Sequence, residues 1–410
     1  MNTVIQQWND ETLEELQHIY KQIDIVCEQN QAKVLDAYQA ESISSYHLNG
    51  SDGYGYDDEG RDALGRVYAR IFGTEAAIVR PQFVSGTHAI TAALFGNLRP
   101  GDELVYASGE PYATMKEVVG LNGDQAGNFK QYGMTTKVVP LDDTGRVDVA
   151  LVNDTITAKT KWVVLQRSCG YDDRPSISIE EMKYQIQSIK ARHGHVHIFV
   201  DNCYGEFAEE LEPGHIGADL LAGSLIKNPG GGITKTGGYI AGKESFVVQA
   251  SARLAAPGIG MEAGATGAFL QDAYHGLFIA PTVVADAIKG AHYTASMLEK
   301  AGYETTPSST TRRTDLIQAV QFGNAEDMIS FCQSIQHHSP IDAKATPIPG
   351  PLPGYDGDVI MAAGTFVLGA SIELSADGPV APPYTAYVQG GLTFAHCKVA
   401  IRRALQSMID

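Results

Sequence analysis

Apolar residues recur at helical spacing near the start of the chain. Leu13, Leu16, Tyr20, Ile23, Cys27 and Val34 fall among charged and polar neighbours, which predicts helix over residues 9–40. Residues 46–60 are rich in Gly, Tyr and Asp and read as an ordered loop. Helical spacing returns at 61–72. The pattern then changes. Short apolar runs at 76–79, 103–106, 136–139, 161–165, 196–200 and 239–241 alternate with helical stretches. That alternation predicts an α/β fold, a mostly parallel sheet flanked by helices. Residues 281–410 carry longer helical segments (281–302, 324–337, 391–408) around a few strands, the pattern of a smaller α+β domain. The Pro-rich stretch Pro347–Gly354 reads as a loop within it. The expected division is an N-terminal helical arm (1–55), a large domain (56–280) and a small C-terminal domain (281–410).

Chemistry concentrates where two apolar runs end. His197-Ile-Phe-Val200 runs into Asp201, and Leu221-Ala-Gly-Ser-Leu-Ile runs into Lys227, followed by glycines at 230–232. Ligands of open α/β sheets sit at the carboxyl ends of strands. A lysine and an acid in such positions suit pyridoxal 5′-phosphate. The lysine links to the cofactor aldehyde, and the acid keeps the pyridine nitrogen protonated. Ser224 stands three positions before Lys227, within reach of a phosphate that the lysine would hold. Ser85-Gly86-Thr87 opens a helix of small residues, where free amides and the dipole favour phosphate; Ser85 is equally a plain N-cap. Tyr112 begins the helix after the 103–106 run and suits either ring stacking or core packing. Taken singly, Lys227 is also readable as a solvated lysine and Asp201 as a turn residue; the pairing gives them weight.

Other motifs fail on spacing. Gly230-Gly-Gly-Ile-Thr-Lys235-Thr236 has Thr234 where a P-loop needs glycine, and Gly53-Tyr-Gly55 with Gly60 misses the dinucleotide pattern. His193, His195 and His197 alternate and would share one face of a strand, but no acid or cysteine cluster joins them, so no metal site is assigned. His337-His338 reads as a polar helix end.

The 410 residues carry a net charge of −18, which argues against nucleic-acid and anionic-membrane partners. No apolar run approaches a membrane span, and Met1–Trp8 lacks the pattern of a signal peptide. Five scattered cysteines read as reduced thiols of a cytoplasmic protein.

Several motifs together resemble a known family. They are Gly53-Tyr-Gly-Tyr-Asp-Asp-Glu-Gly-Arg-Asp62, Arg80-Pro-Gln-Phe-Val-Ser-Gly-Thr-His-Ala-Ile90, Asp201-Asn-Cys-Tyr-Gly-Glu-Phe207, Gly223-Ser-Leu-Ile-Lys-Asn-Pro-Gly-Gly-Gly232, Ala256-Pro-Gly-Ile-Gly260 and Val388-Gln-Gly-Gly-Leu-Thr393. The chain resembles pyridoxal-phosphate enzymes of fold type I, the aspartate aminotransferase-like fold. More narrowly, it resembles the methionine gamma-lyase / cystathionine beta-lyase-like group often labelled aluminium resistance proteins. The resemblance implies a seven-stranded, mostly parallel sheet in the large domain and a carbon–sulfur lyase acting on a small sulfur-containing amino acid. It implies that Lys227 carries the cofactor and moves protons, that Asp201 pairs with the pyridine nitrogen, and that Tyr112 stacks on the ring. Ser85, Gly86, Thr87 and Ser224 would surround the phosphate. Tyr56 and Arg61 would reach a neighbouring subunit's phosphate, making a homodimer or homotetramer with shared sites. Aldol cleavage, decarboxylation, transamination and a non-catalytic cofactor-binding protein are the alternatives. Two positions depart from the pattern: Ala381 and Cys169 stand where relatives carry basic residues. Arg167 and Arg174 are then the candidates for a substrate carboxylate.

Overall fold

The computed structural model describes residues 3–123, 125–172, 174–352 and 357–409. Its large sheet is built from β1 (Ala76–Arg80), β2 (Glu103–Tyr106), β3 (Thr135–Val138), β4 (Thr160–Gln166), β5 (His197–Asp201), β6 (Leu220–Ser224) and β7 (Gly238–Gly242). The seven strands lie in the order β1-β7-β6-β5-β4-β2-β3. Neighbours from β6 to β3 are parallel, and β7 runs antiparallel to both β1 and β6.

These strands read as near-continuous apolar runs because helices cover both faces. Side chains alternate between two cores. Val163, Leu165, Ile198, Val200 and Leu221 enter one; Trp162, Val164, Phe199 and Ala222 enter the other. Each such fully buried aliphatic or aromatic side chain contributes about 1.5–3 kcal/mol. The same alternation, carried one or two residues further, sends Asp201 and Ser224 to the face occupied by helix Gly86–Asn97. Gly223 faces the opposite side.

The second sheet comprises β8 (Glu304–Thr306), β9 (Gln318–Gln321), β10 (Gly350–Pro351), β11 (Asp358–Ala362), β12 (Ser375–Pro379) and β13 (Thr385–Gln389). It is antiparallel throughout, in the order β10-β11-β12-β13-β9-β8. Helices Ala325–His337 and Phe394–Ile409 pack on it. Part of the expected proline loop is strand β10; residues 353–354 of that stretch lie outside the described residues.

Three boundaries differ from the sequence reading. The N-terminal segment is two helices, Thr3–Glu15 and Gln17–Ala40, and it is no free arm: Ile5 enters the core of the second sheet, while Val34 and Ala37 enter that of the first. The helix expected to start at 281 spans Phe269–Lys300, with Pro281 inside it. Residue 280, the expected end of the large domain, lies within this helix. Finally, only His197 of the alternating histidines is in a strand. His193 caps helix Ile179–Arg192, and its Nε2 meets the Asn153 carbonyl at 3.0 Å, so the three do not share a face. Among the described residues no helix is long and apolar enough to cross a membrane.

Candidate active site

β5 and β6 end side by side, and their extensions bring Asp201 and Lys227 to one place. After β6 the chain makes a short 3-10 turn, Asn228–Gly230, with Lys227 at its N-cap. The Lys227 amide donates to the Ser224 carbonyl at 3.4 Å, and the Gly230 amide donates to the Lys227 carbonyl at 3.1 Å. The Lys227 side chain is partly buried, and its Nζ lies 3.9 Å from the centroid of the Tyr204 ring. Burial pulls this amine down, but Cys203, Tyr204, Asp201 and Glu206 outweigh it and hold the ammonium above its ordinary range.

Asp201 is the last residue of β5 and is buried. Its Oδ1 accepts from the Cys203 amide at 3.2 Å. Burial pushes its carboxyl up, opposed by the Lys227 ammonium and the Cys203 amide. A buried carboxyl of this kind is strongly drawn to a positively charged N–H donor.

Helix Gly86–Asn97 starts against the same spot. A Cβ on Gly86 would lie 3.1 Å from the Ser224 Cβ and 3.5 Å from the Cys203 sulfur. A side chain here would crowd Ser224, so the start of the helix lies close beside it. The Thr87 hydroxyl is 3.3 Å from the Tyr112 hydroxyl. Burial raises the Tyr112 phenol, and Asp201 and Cys203 add to the rise, which ties Tyr112 to the same cluster. Ser85 caps the helix: its Oγ accepts from the His88 amide at 3.0 Å.

Lys227, Asp201, Tyr112, Gly86, Thr87 and Ser224 therefore converge. Tyr56 and Arg61 do not join them. Tyr56 is 61% exposed and stacks on Tyr54, with centroids 5.5 Å apart. Arg61 is 1% exposed, and its guanidinium donates to the Gly55, Gly264 and Glu262 carbonyls and to Asp62. It braces its own loop. Both arginines expected to receive a carboxylate are buried and engaged by protein acceptors. Arg167 is fully buried and donates to Asn202 (2.9 Å), Glu212 (3.3 Å) and Glu209 (3.1 Å). Arg174 is buried and donates to the Gln166 (3.1 Å) and Ser168 (2.5 Å) carbonyls. Cys169 is buried beside Asp315, and Ala381 sits in the exposed turn after β12. Among the described residues no group of three or more His, Cys, Asp or Glu is arranged to hold a metal ion.

Two neighbours of Lys227 escaped the sequence reading: Tyr204, and Glu206 on the far side of β6. Tyr239 donates to Glu206 Oε1 at 2.8 Å, while Oε2 is buried without a partner among the described residues. Gly223 makes room, because a Cβ there would stand 2.6 Å from Glu206 Oε1. Burial pushes this carboxyl from 4.5 to about 8, against the lowering effect of the Tyr239 bond. The unfolded chain ionises near the ordinary value, whereas the folded chain keeps the proton until about 8. Stability must therefore fall as pH rises through this window. Glu206→Gln keeps the shape without the ionisation, so its urea midpoint is expected to exceed that of the wild type at the top of the window. Equal pH slopes for the two proteins would contradict this.

The methionine gamma-lyase family profile matches residues 5–409. The chain belongs to the methionine gamma-lyase family. This family member is 54% identical to the YnbB protein of Bacillus subtilis (strain 168) over 393 residues, covering 96% of this chain and 93% of that one. It is 52% identical to a solved Listeria innocua protein with a provisional cystathionine beta-lyase name tied to aluminum resistance. That match has a TM-score of 0.97 and covers 99% of each chain. A solved Clostridium novyi NT protein, named a carbon-sulfur lyase involved in aluminum resistance, is 44% identical. Its TM-score is 0.96, with 100% of this chain and 97% of that one covered.

Proposed function

We propose that this chain is a pyridoxal-phosphate-dependent carbon–sulfur lyase of fold type I, acting on a sulfur-containing amino acid. The observation that carries the reading is the convergence of Lys227, Asp201, Tyr112 and the Gly86–Ser224 cradle at the ends of β5 and β6. Family membership and the name of the Clostridium novyi relative support it. The residues fit a phosphorylated pyridine aldehyde. Lys227 provides the amine that links to it, Asp201 the partner for a protonated ring nitrogen, and Tyr112 a flat aromatic wall. The amides of Gly86 and Thr87 with the Ser224 hydroxyl provide phosphate donors. When bound, this cofactor supplies an electron-accepting ring.

The chain's own residues then do the acid–base work. With its amine free, Lys227 takes the proton from the substrate Cα and holds it beside the departing sulfur. Asp201 stays ionised against the ring nitrogen. Asp201→Asn is expected to keep the cofactor but to lower turnover by about 10²–10³-fold, since a neutral amide cannot balance the positive N–H. An unchanged rate would remove Asp201 from this role.

We further propose a homodimer or homotetramer, with exposed Tyr56 reaching a neighbour's site and Arg61 fixing the loop that presents it. The division into large and small domains and a reduced, cytoplasmic setting are proposals of the same standing; all five thiols are unpaired. The decisive experiment combines the visible spectrum, borohydride reduction and peptide mapping with product analysis. We expect reduction to fix the cofactor on Lys227, and keto acid and thiol to appear from cystathionine, cysteine, homocysteine or methionine. A mapped cofactor with no such product from any of them would refute the lyase reading.

A further inference from the structure

The aromatic ring against Lys227 has no part in the reading above. Tyr204 lies in the turn that follows β5, three residues after Asp201. Its φ is +70°, in the left-handed region that a bulky side chain rarely adopts. The turn is held there from several sides. The Gly205 amide donates to the Asn202 carbonyl at 3.0 Å. The stem of Arg167 fills the space beneath, so closely that a Cβ on Gly205 would stand 2.3 Å from its Cδ. The guanidinium of Arg167 holds the Asn202 side chain at 2.9 Å. The Tyr204 side chain packs against the cluster of Cys169, Ile317 and Tyr387, the last of these in β13 of the second sheet. A strained residue persists only where its surroundings over-determine it. Here they fix a ring face under the one lysine of the site.

We propose that Tyr204 is a positioning residue, a platform on which the Lys227 ammonium rests when the unlinked lysine carries a proton. The proposal rests on the reading of Lys227 as the cofactor lysine. That lysine alternates between two tasks and must carry a proton in one of them, in a partly buried place where burial alone works against charge. A carboxylate partner would solve the desolvation problem but would hold the amine as a salt bridge. It would also draw on Asp201, whose charge is needed elsewhere. A ring face attracts the ammonium through its quadrupole and offers no acceptor atom to lock it. The amine stays charged yet free to leave.

The test follows the proton affinity of Lys227 in the full-length, cofactor-free chain. The rate at which acetic anhydride acylates Lys227 is measured by peptide mass spectrometry from neutral to alkaline pH. Access changes the height of that curve and proton affinity changes its midpoint. Tyr204→Leu removes the ring, and Tyr204→Phe keeps it while deleting the hydroxyl. Neither adds strain beyond that of tyrosine at this φ. We expect the midpoint to fall by about one pH unit in Tyr204→Leu, the size of a partly desolvated cation–π contact. In Tyr204→Phe it should stay at the wild-type value. If Tyr204→Leu fails to fold, Tyr204→Met takes its place, with the same expectation. Equal midpoints in the wild type and the ringless variant overturn the proposal, as does an equal fall in Tyr204→Phe. This readout needs no cofactor, whereas borohydride mapping of Lys227 tests the cofactor reading separately. A failed platform and a failed lyase reading are thereby told apart.

Discussion

Lys227→Ala is expected to lose the covalent hold on the cofactor and to lower turnover by at least about 10³–10⁴-fold, the upper range for a positioned acid–base group. The fold should survive. Backbone hydrogen bonds hold Lys227 in its turn, which alanine keeps, and its amine lies over the Tyr204 ring. Near-UV circular dichroism should match the wild type while the visible cofactor band becomes removable by dialysis. Retained wild-type turnover would show that another residue carries the chemistry.

Arg167→Ala is expected to have the largest effect on stability. The guanidinium is fully buried and serves two carboxylates, Glu209 and Glu212, which are themselves almost completely enclosed. Glu212 also accepts from Asn202 (3.0 Å) and from the Phe207 amide (2.8 Å), and Glu209 from the Ile179 amide (2.8 Å). Removing the cation leaves Glu212 buried without its charged partner, while Glu209 keeps Arg312 at 3.0 Å; breaking such a buried pair costs about 3–5 kcal/mol. Lysine is a poor substitute, because a single ammonium cannot reproduce the fork that bonds three side chains. The loss should appear as a lower urea midpoint. Activity should fall with it, since the Arg167 stem supports the turn from Asp201 to Gly205. A shift below about 1 kcal/mol, the size of an exposed pair, would mean that the two carboxylates find other partners.

Much of the large sheet was legible because its strands are covered on both faces. Runs such as Val163–Leu165 and Ile198–Val200 are apolar at every position, and the polar residues that end them mark the site. Lys227, Asp201 and Ser224 could be named because strand ends are where such chemistry sits. What depends on three-dimensional approach could not be read. The departure of Tyr204 into positive φ leaves no mark in composition, and its role as a neighbour of Lys227 follows from the turn. Arg61 and Arg167 both looked like ligand-binding arginines, yet each is consumed by its own chain's acceptors. The helix expected from residue 281 begins at Phe269 and continues through Pro281, which its apolar spacing alone did not show. The alternating histidines suggested a strand until the end of helix Ile179–Arg192 took up the first of them.

The helix Phe269–Lys300 has a mechanical consequence. At about 1.5 Å per residue its 32 residues form a rod of roughly 48 Å. Gly276 and Ile279, on its first half, press against Gly230 and Gly231, so the rod buttresses the turn that carries Lys227. Its second half enters the core of the other sheet through Tyr293, Met297 and Leu298. One beam thus bears on both the reactive lysine and the smaller layer. Rocking one layer against the other would bend that beam and shift the lysine with it. The proline near its middle, which gives up one backbone hydrogen bond, is the point of least stiffness.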